Sequence, residues 1–145
     1  MNSIERALQL ALAAHEGQVD KAGKPYILHP MTVASLQKTE ECIIVALLHD
    51  VVEDAKDRGF TLEYIADHGF SYEVIEALRL LTHDKDVDYF EYIHAIKQNE
   101  IARKVKLADL AHNSDLSRLE KVTDKDMQRK RKYEKAMSLL LSKPA

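Results

Sequence analysis

The chain has 145 residues, a net charge of −3 from 21 basic and 24 acidic side chains, 46% hydrophobic residues and one cysteine. This is the size of one domain with a single buried core. The charge makes no electrostatic case for nucleic-acid binding, no apolar run is long enough to span a bilayer, and four Gly, three Pro and no Trp argue against a turn-rich β-sandwich.

Helical periodicity dominates from the first residues. Ile4, Leu8, Ala11 and Leu12 make one face of a first helix, with Ser3 as its expected cap and Gly17 near its end. Its apolar stretch "ALQLALAA" contains Gln9 and follows Glu5, which speaks against a secretory signal. "DKAGKPY" reads as a loop broken by Gly23 and Pro25, and His29-Pro30 then opens a second helix with Pro30 at its first position. The third helix is expected as one run from about Glu41 through Val52. It holds "CIIVALL", whose Cys42 reads as a small buried hydrophobe in a reducing, cytoplasmic protein.

After Gly59 come two short helices. Thr61 caps the first, with Phe60 and Ile65 at staple spacing; Ser71 caps the second, with Phe70 and Ile75 spaced alike and Gly69 between them. The loop "HDKDVD" leads to helices over "YFEYIHAIKQ" and "EIARKVKLADLAHN". The last helix starts at Asp124, and its basic run "RKRKYEK" is expected to be a solvated face. No segment alternates as a strand does, so the expected fold is all-α: one compact multi-helix domain over residues 1–145.

The chemistry concentrates in "LLHDVVED". On a helix, His49, Asp50, Glu53 and Asp54 span an arc of about 140° at 100° per residue, so they point into one small volume. Three carboxylates there repel one another unless a cation lies between them. His29 at the start of the second helix and Asp109, 59 residues beyond Asp50, complete a set of two imidazoles and two carboxylates. Such a mixed N/O set suits Mn²⁺, Fe²⁺ or Zn²⁺.

The order H…HD…D resembles that of the HD-domain metal-dependent phosphohydrolases. "AHEGQVDKAGKPYILHPMTVA", "VALLHDVVED" and "VKLADLAHN" resemble the motifs of one branch, the hydrolase domain of RelA/SpoT-type alarmone enzymes, in the form of its small stand-alone members. The resemblance implies an HD-type helical bundle with His29, His49, Asp50 and Asp109 as metal ligands, usually for Mn²⁺. Glu53 and Asp54 become the catalytic pair that positions and deprotonates water. The implied reaction removes pyrophosphate from the 3′ position of guanosine tetra- or pentaphosphate. A metal lowers the pKa of water and polarises the phosphoryl oxygen, and a carboxylate takes the proton. Lys21 and Asn113 match positions near the nucleotide, and Lys106, one turn before Asp109, either touches phosphate or is a surface lysine.

The chain also departs from the pattern. Asp20 stands where the branch usually carries an arginine that stacks on guanine, and Ser114-Asp115-Leu116 follow Asn113 where basic and hydroxyl residues are common. A carboxylate at Asp20 cannot stack and repels phosphate. Three readings therefore stand: an alarmone pyrophosphohydrolase, a phosphohydrolase of another nucleotide such as a phosphorylated dinucleotide cofactor, or a non-catalytic nucleotide-binding module. In each the partner is a small nucleotide rather than nucleic acid or membrane, and the oligomeric state is open. Among the other histidines, His15 is expected to support the site or pack, and His112 to form a structural hydrogen bond rather than ligate. His68 and His94 read as helix-surface residues, and His83, in "LTHDKD", could lie near the site, though nothing in the sequence requires it.

Overall fold

The computed structural model describes residues 1–142, and among them there is no β-strand, only an isolated bridge between Val19 and Pro25. The helices are α1 (Ser3–Ala14), α2 (Leu28–Ser35), α3 (Glu40–Leu48), α4 (Val51–Ala55), α5 (Leu62–Ala66), α6 (Tyr72–Leu81), α7 (Tyr89–Lys97), α8 (Glu100–Ser114) and α9 (Asp124–Leu141). Short 3-10 turns follow α4 at Lys56–Arg58 and α8 at Leu116–Arg118. The all-α expectation holds.

Side-chain caps fix most helix starts. Thr61 and Ser71 accept the backbone N–H of Tyr64 and Val74, as their positions predict. The cap of α1 is Asn2 rather than Ser3: Asn2 and Glu5 form a reciprocal capping box, and Ser3 instead accepts the Arg6 guanidinium from inside the helix. Helix α2 begins at Leu28, which makes Pro30 its third residue; within the first turn the missing N–H still costs no helical bond.

The third helix is not continuous. It ends at Leu48, and a separate turn, α4, begins after Asp50. The His49 ring lies 2.6 Å from the Ala46 carbonyl oxygen through Nδ1, taking the acceptor that the N–H of Asp50 would reach in an unbroken helix. Asp50 (φ −103°, ψ −1°) caps α4, so the HD pair sits at a break that still keeps both side chains on one side.

Helix α3 is apolar nearly all round and central. Ile44, Val45, Ala46, Leu47 and Leu48 are buried, and α1, α2, α6 and α8 pack on it. Cys42 is buried there as expected. At about 1.5–3 kcal/mol for a fully buried aliphatic side chain, this helix anchors the residues at its C-terminal end. Helix α9 closes the molecule against α7 and α8. Its basic run is not wholly a solvated face: Lys132 lies 4.4 Å from the centre of the Tyr89 ring and Lys135 4.5 Å from that of Phe90, cation–π contacts that hold α9 to α7. Of the described residues, no helix is long and apolar enough to cross a membrane.

Candidate metal centre and adjoining clefts

Four side chains from three places in the sequence meet under α3. His29 comes from the first turn of α2, His49 and Asp50 from the α3–α4 break, and Asp109 from the middle of α8, with ligand atoms all within 4.8 Å of one another. His29 Nε2 lies 2.8 Å from Asp109 Oδ1 and 3.6 Å from Asp50 Oδ2. His49 Nε2 lies 3.0 Å from Asp50 Oδ2 and 3.3 Å from Asp109 Oδ1. His29, His49 and Asp109 are buried, and Asp50 keeps 19% of its side chain open.

The electrostatics of this cluster call for a cation. Burial works against charging His49, yet Asp50 and Asp109 outweigh it and hold the imidazole protonated well above its ordinary range. Burial likewise opposes ionisation of Asp50, but the His49 charge lowers it to about 2. Asp109 is held well below the carboxylate range against its burial, first by the Lys106 ammonium and then by His49. A divalent ion supplies the same compensation to neutral imidazoles and ionised carboxylates, so this donor set fits one. The four residues expected from sequence as ligands are thus brought together as one unit that could hold a metal ion.

Each of the four side chains is oriented from behind. Ala46 O engages His49 Nδ1, and His29 Nδ1 lies 2.7 Å from His112 Nδ1 with the two rings stacked. His112 thus makes the hydrogen bond expected of it. Tyr26 Oη donates to Asp50 Oδ2 at 2.5 Å, while Lys106 Nζ donates to Asp109 Oδ2 and Asn113 Nδ2 to Asp109 Oδ1, each at 3.0 Å. Partners of this kind hold ligand geometry and tune basicity.

The acidic pair separates. Glu53 lines a cleft of about 190 Å³ together with Asp50, Lys106 and Asp109, and its Oε1 accepts the backbone N–H of His83 at 2.5 Å. Asp54 turns the other way. It accepts the Gln18 side-chain amide at 3.1 Å and lies 3.9 Å from His15, which is buried beside it. Partial burial raises both carboxyls, opposed by the His83 N–H for Glu53 and by Gln18 for Asp54. Glu53 thus faces the cleft beside the cluster, and Asp54 is tied to Gln18 in the loop before α2.

The expected nucleotide contacts fall into two groups. Lys106 is no surface lysine: 13% of its side chain is exposed, it lies 5.2 Å from the Tyr92 ring centre, and it lines the cleft with Glu53. Asn113 lines this cleft and a second one of about 300 Å³, which Tyr26 and Tyr133 also share. Lys21 lines the second cleft only, half-exposed and 3.4 Å from Asp126. His83 lies at the cleft, where its loop could bring it, while sequence reasoning missed Tyr26, Gln18 and Arg118. The spacing of Tyr26 three before His29 hinted at the first, whereas the others arrive through loops that periodicity cannot place.

Comparison with known proteins agrees with this fold. The HD-domain family model matches residues 7–141. The Escherichia coli bifunctional (p)ppGpp synthase/hydrolase SpoT is 32% identical over 122 residues, 76% of this chain and 17% of that protein. The guanosine-3′,5′-bis(diphosphate) 3′-pyrophosphohydrolase of Haemophilus influenzae is 34% identical over 118 residues, 72% of this chain and 17% of that protein. The chain therefore spans about a sixth of the length of these curated relatives. A solved structure of a metazoan ortholog of SpoT, described as hydrolysing ppGpp, superposes with a TM-score of 0.75 at 25% identity, over 100% of this chain and 89% of that one. By this match over nearly its whole length, the chain belongs to the HD-domain family.

Proposed function

We propose that the protein is a metal-dependent pyrophosphohydrolase that removes the 3′-pyrophosphate of guanosine 3′,5′-bis(diphosphate)-type alarmones, with Mn²⁺ as its working metal. The observation that carries this reading is the complete set of His29, His49, Asp50 and Asp109 with Glu53 in the cleft beside it. The activity described for SpoT, for the Haemophilus enzyme and for the metazoan ortholog supports the substrate. A bound divalent ion would lower the pKa of water and polarise the phosphoryl oxygen. Glu53 then accepts the proton, Lys106 offers its remaining N–H groups to the phosphoryl oxygens, and Lys21 and Asn113 contact the nucleotide. Asp54 is the second member of the pair that positions and deprotonates the water, oriented by the Gln18 amide and by His15 beside it. Residues 1–145 form one domain in this reading, and a reducing cytoplasm suits the single buried thiol.

Purified protein with Mn²⁺ is expected to release pyrophosphate from guanosine tetraphosphate, and His49→Ala to abolish release. Equal turnover by both proteins would refute the metal mechanism.

A second reading keeps the site and changes the substrate to another phosphorylated nucleotide, such as a dinucleotide cofactor. What favours it is the second cleft, where Lys21, Arg118 and Arg129 each lie within ion-pair distance of an aspartate. Phosphate and pyrophosphate release measured separately over a nucleotide panel distinguishes the two.

A further inference from the structure

The second cleft contains a cation held differently from its neighbours. Lys21 and Arg129 both lie against Asp126, at 3.4 and 3.6 Å, and that carboxylate also caps α9 through Thr123. Arg118 instead meets Asp20 across the cleft, 3.5 Å from Nη1 to Oδ2. The other oxygen of Asp20 accepts the backbone N–H groups of Ala22 at 2.8 Å and Lys24 at 3.0 Å, which fixes the carboxylate in the loop. Asp20 is therefore not a free anion waiting to repel a phosphate.

The opposite wall is fixed as well. Asp115 accepts the N–H of Ser117 at 3.0 Å and starts the 3-10 turn that carries Arg118 to the cleft, and Arg118 Nη2 reaches the His112 carbonyl at 3.5 Å. The guanidinium is thus gripped by its N–H edge, while 39% of the side chain stays open. A guanidinium held by its edge can offer its flat face to a planar ring, and its charge is already compensated. Around it the cleft carries Val19, Leu116, Leu119 and Tyr26, apolar surface that an aromatic base covers and a phosphate does not.

We propose that Arg118, positioned by Asp20, is the nucleobase-stacking residue of this protein, so that the second cleft takes the base while the phosphates lie in the cleft beside the metal ligands. This rests on the nucleotide reading above. Tyr26, Asn113 and Tyr133 line both clefts, so the two adjoin, as one nucleotide lying across both requires.

The test is calorimetric binding of guanosine 5′-diphosphate, and of ribose 5-diphosphate as the same sugar diphosphate without a base, to the protein of residues 1–145. Arg118→Ala is expected to weaken guanosine diphosphate about tenfold, roughly the upper half of a cation–π contribution. Arg118→Lys should lose nearly as much, since an ammonium has no flat face, and Asp20→Asn about threefold. Ribose 5-diphosphate should bind all four proteins within about twofold of one another, on the same physical ground. Equal losses for both ligands would overturn the proposal and leave the pair a loop brace. Unchanged guanosine diphosphate binding by Arg118→Ala, or none by the wild type, would overturn it too. Because binding is measured without turnover, absence of pyrophosphate release would count against the function and leave this comparison standing. Unfolding midpoints check that each variant is folded, and Arg118→Lys keeps the charge should Arg118→Ala unfold.

Discussion

The carbonyl of Ala46 can only accept, so when the His49 ring is neutral its proton lies on Nδ1 and Nε2 turns a lone pair toward Asp50 and Asp109. Tyr26 does the same service for Asp50. Burial, and then the Asp50 charge, push its hydroxyl well above the usual phenol range, so it is a permanent donor. Tyr26→Phe removes that one bond and is expected to weaken metal binding by about tenfold, read by competition against a chelator. Glu53 gives a prediction of opposite sign for stability and activity. Its folded-state pKa is raised above 4.5 by partial burial, so the fold prefers it protonated. The resulting penalty is absent below the unfolded carboxylate range, grows as pH rises through that range, and is complete above the raised value. Glu53→Gln should therefore raise the unfolding midpoint at neutral pH, with the gain vanishing toward pH 4, while turnover falls by about 10²–10⁴-fold. The residues of the arc were legible because helical period alone puts His49, Asp50 and Glu53 on one side. The backbone anchor of Glu53 at His83 was not, since it joins residues 30 apart through a loop.

At the scale of elements, α3 does most of the positioning. It carries the HD pair at its end and is enclosed by α1, α2, α6 and α8. Leu48, fully buried one residue before His49, couples core packing to the site. Leu48→Ala is expected to cost about 2–5 kcal/mol in denaturant unfolding and to lower activity by loosening His49; an effect below 1 kcal/mol would mean that the site does not depend on this packing. Periodicity and caps read most helices well because both are local: Thr61, Ser71 and the start of α9 at Asp124 needed only their neighbours. The break between α3 and α4 was invisible to periodicity, because a side chain capturing its own helix carbonyl leaves the apolar pattern intact. The basic run of α9 is exposed at Arg131, Lys132, Glu134 and Lys135 as expected, and the ring contacts it adds lay beyond sequence reading. Which lysines meet Tyr89 and Phe90 depends on how α9 lies against α7, which sequence spacing does not fix.

For the whole molecule, the site is where distant segments are tied together. Tyr26 to Asp50, His29 to Asp109, and Asp20 to Arg118 span 24, 80 and 98 positions, so ordering the cluster orders the fold around it. A ligand that binds only the folded chain stabilises it by mass action, by about 2.7 kcal/mol at a hundred times its dissociation constant. The unfolding midpoint should therefore rise with Mn²⁺ concentration and return on chelation. The most direct test is calorimetric titration of the chelator-stripped protein with Mn²⁺. The account predicts a single ion bound per wild-type chain and none by His49→Ala or Asp109→Ala. A wild type that binds no ion, or variants that bind it unchanged, would contradict the assignment of this cluster as the metal centre.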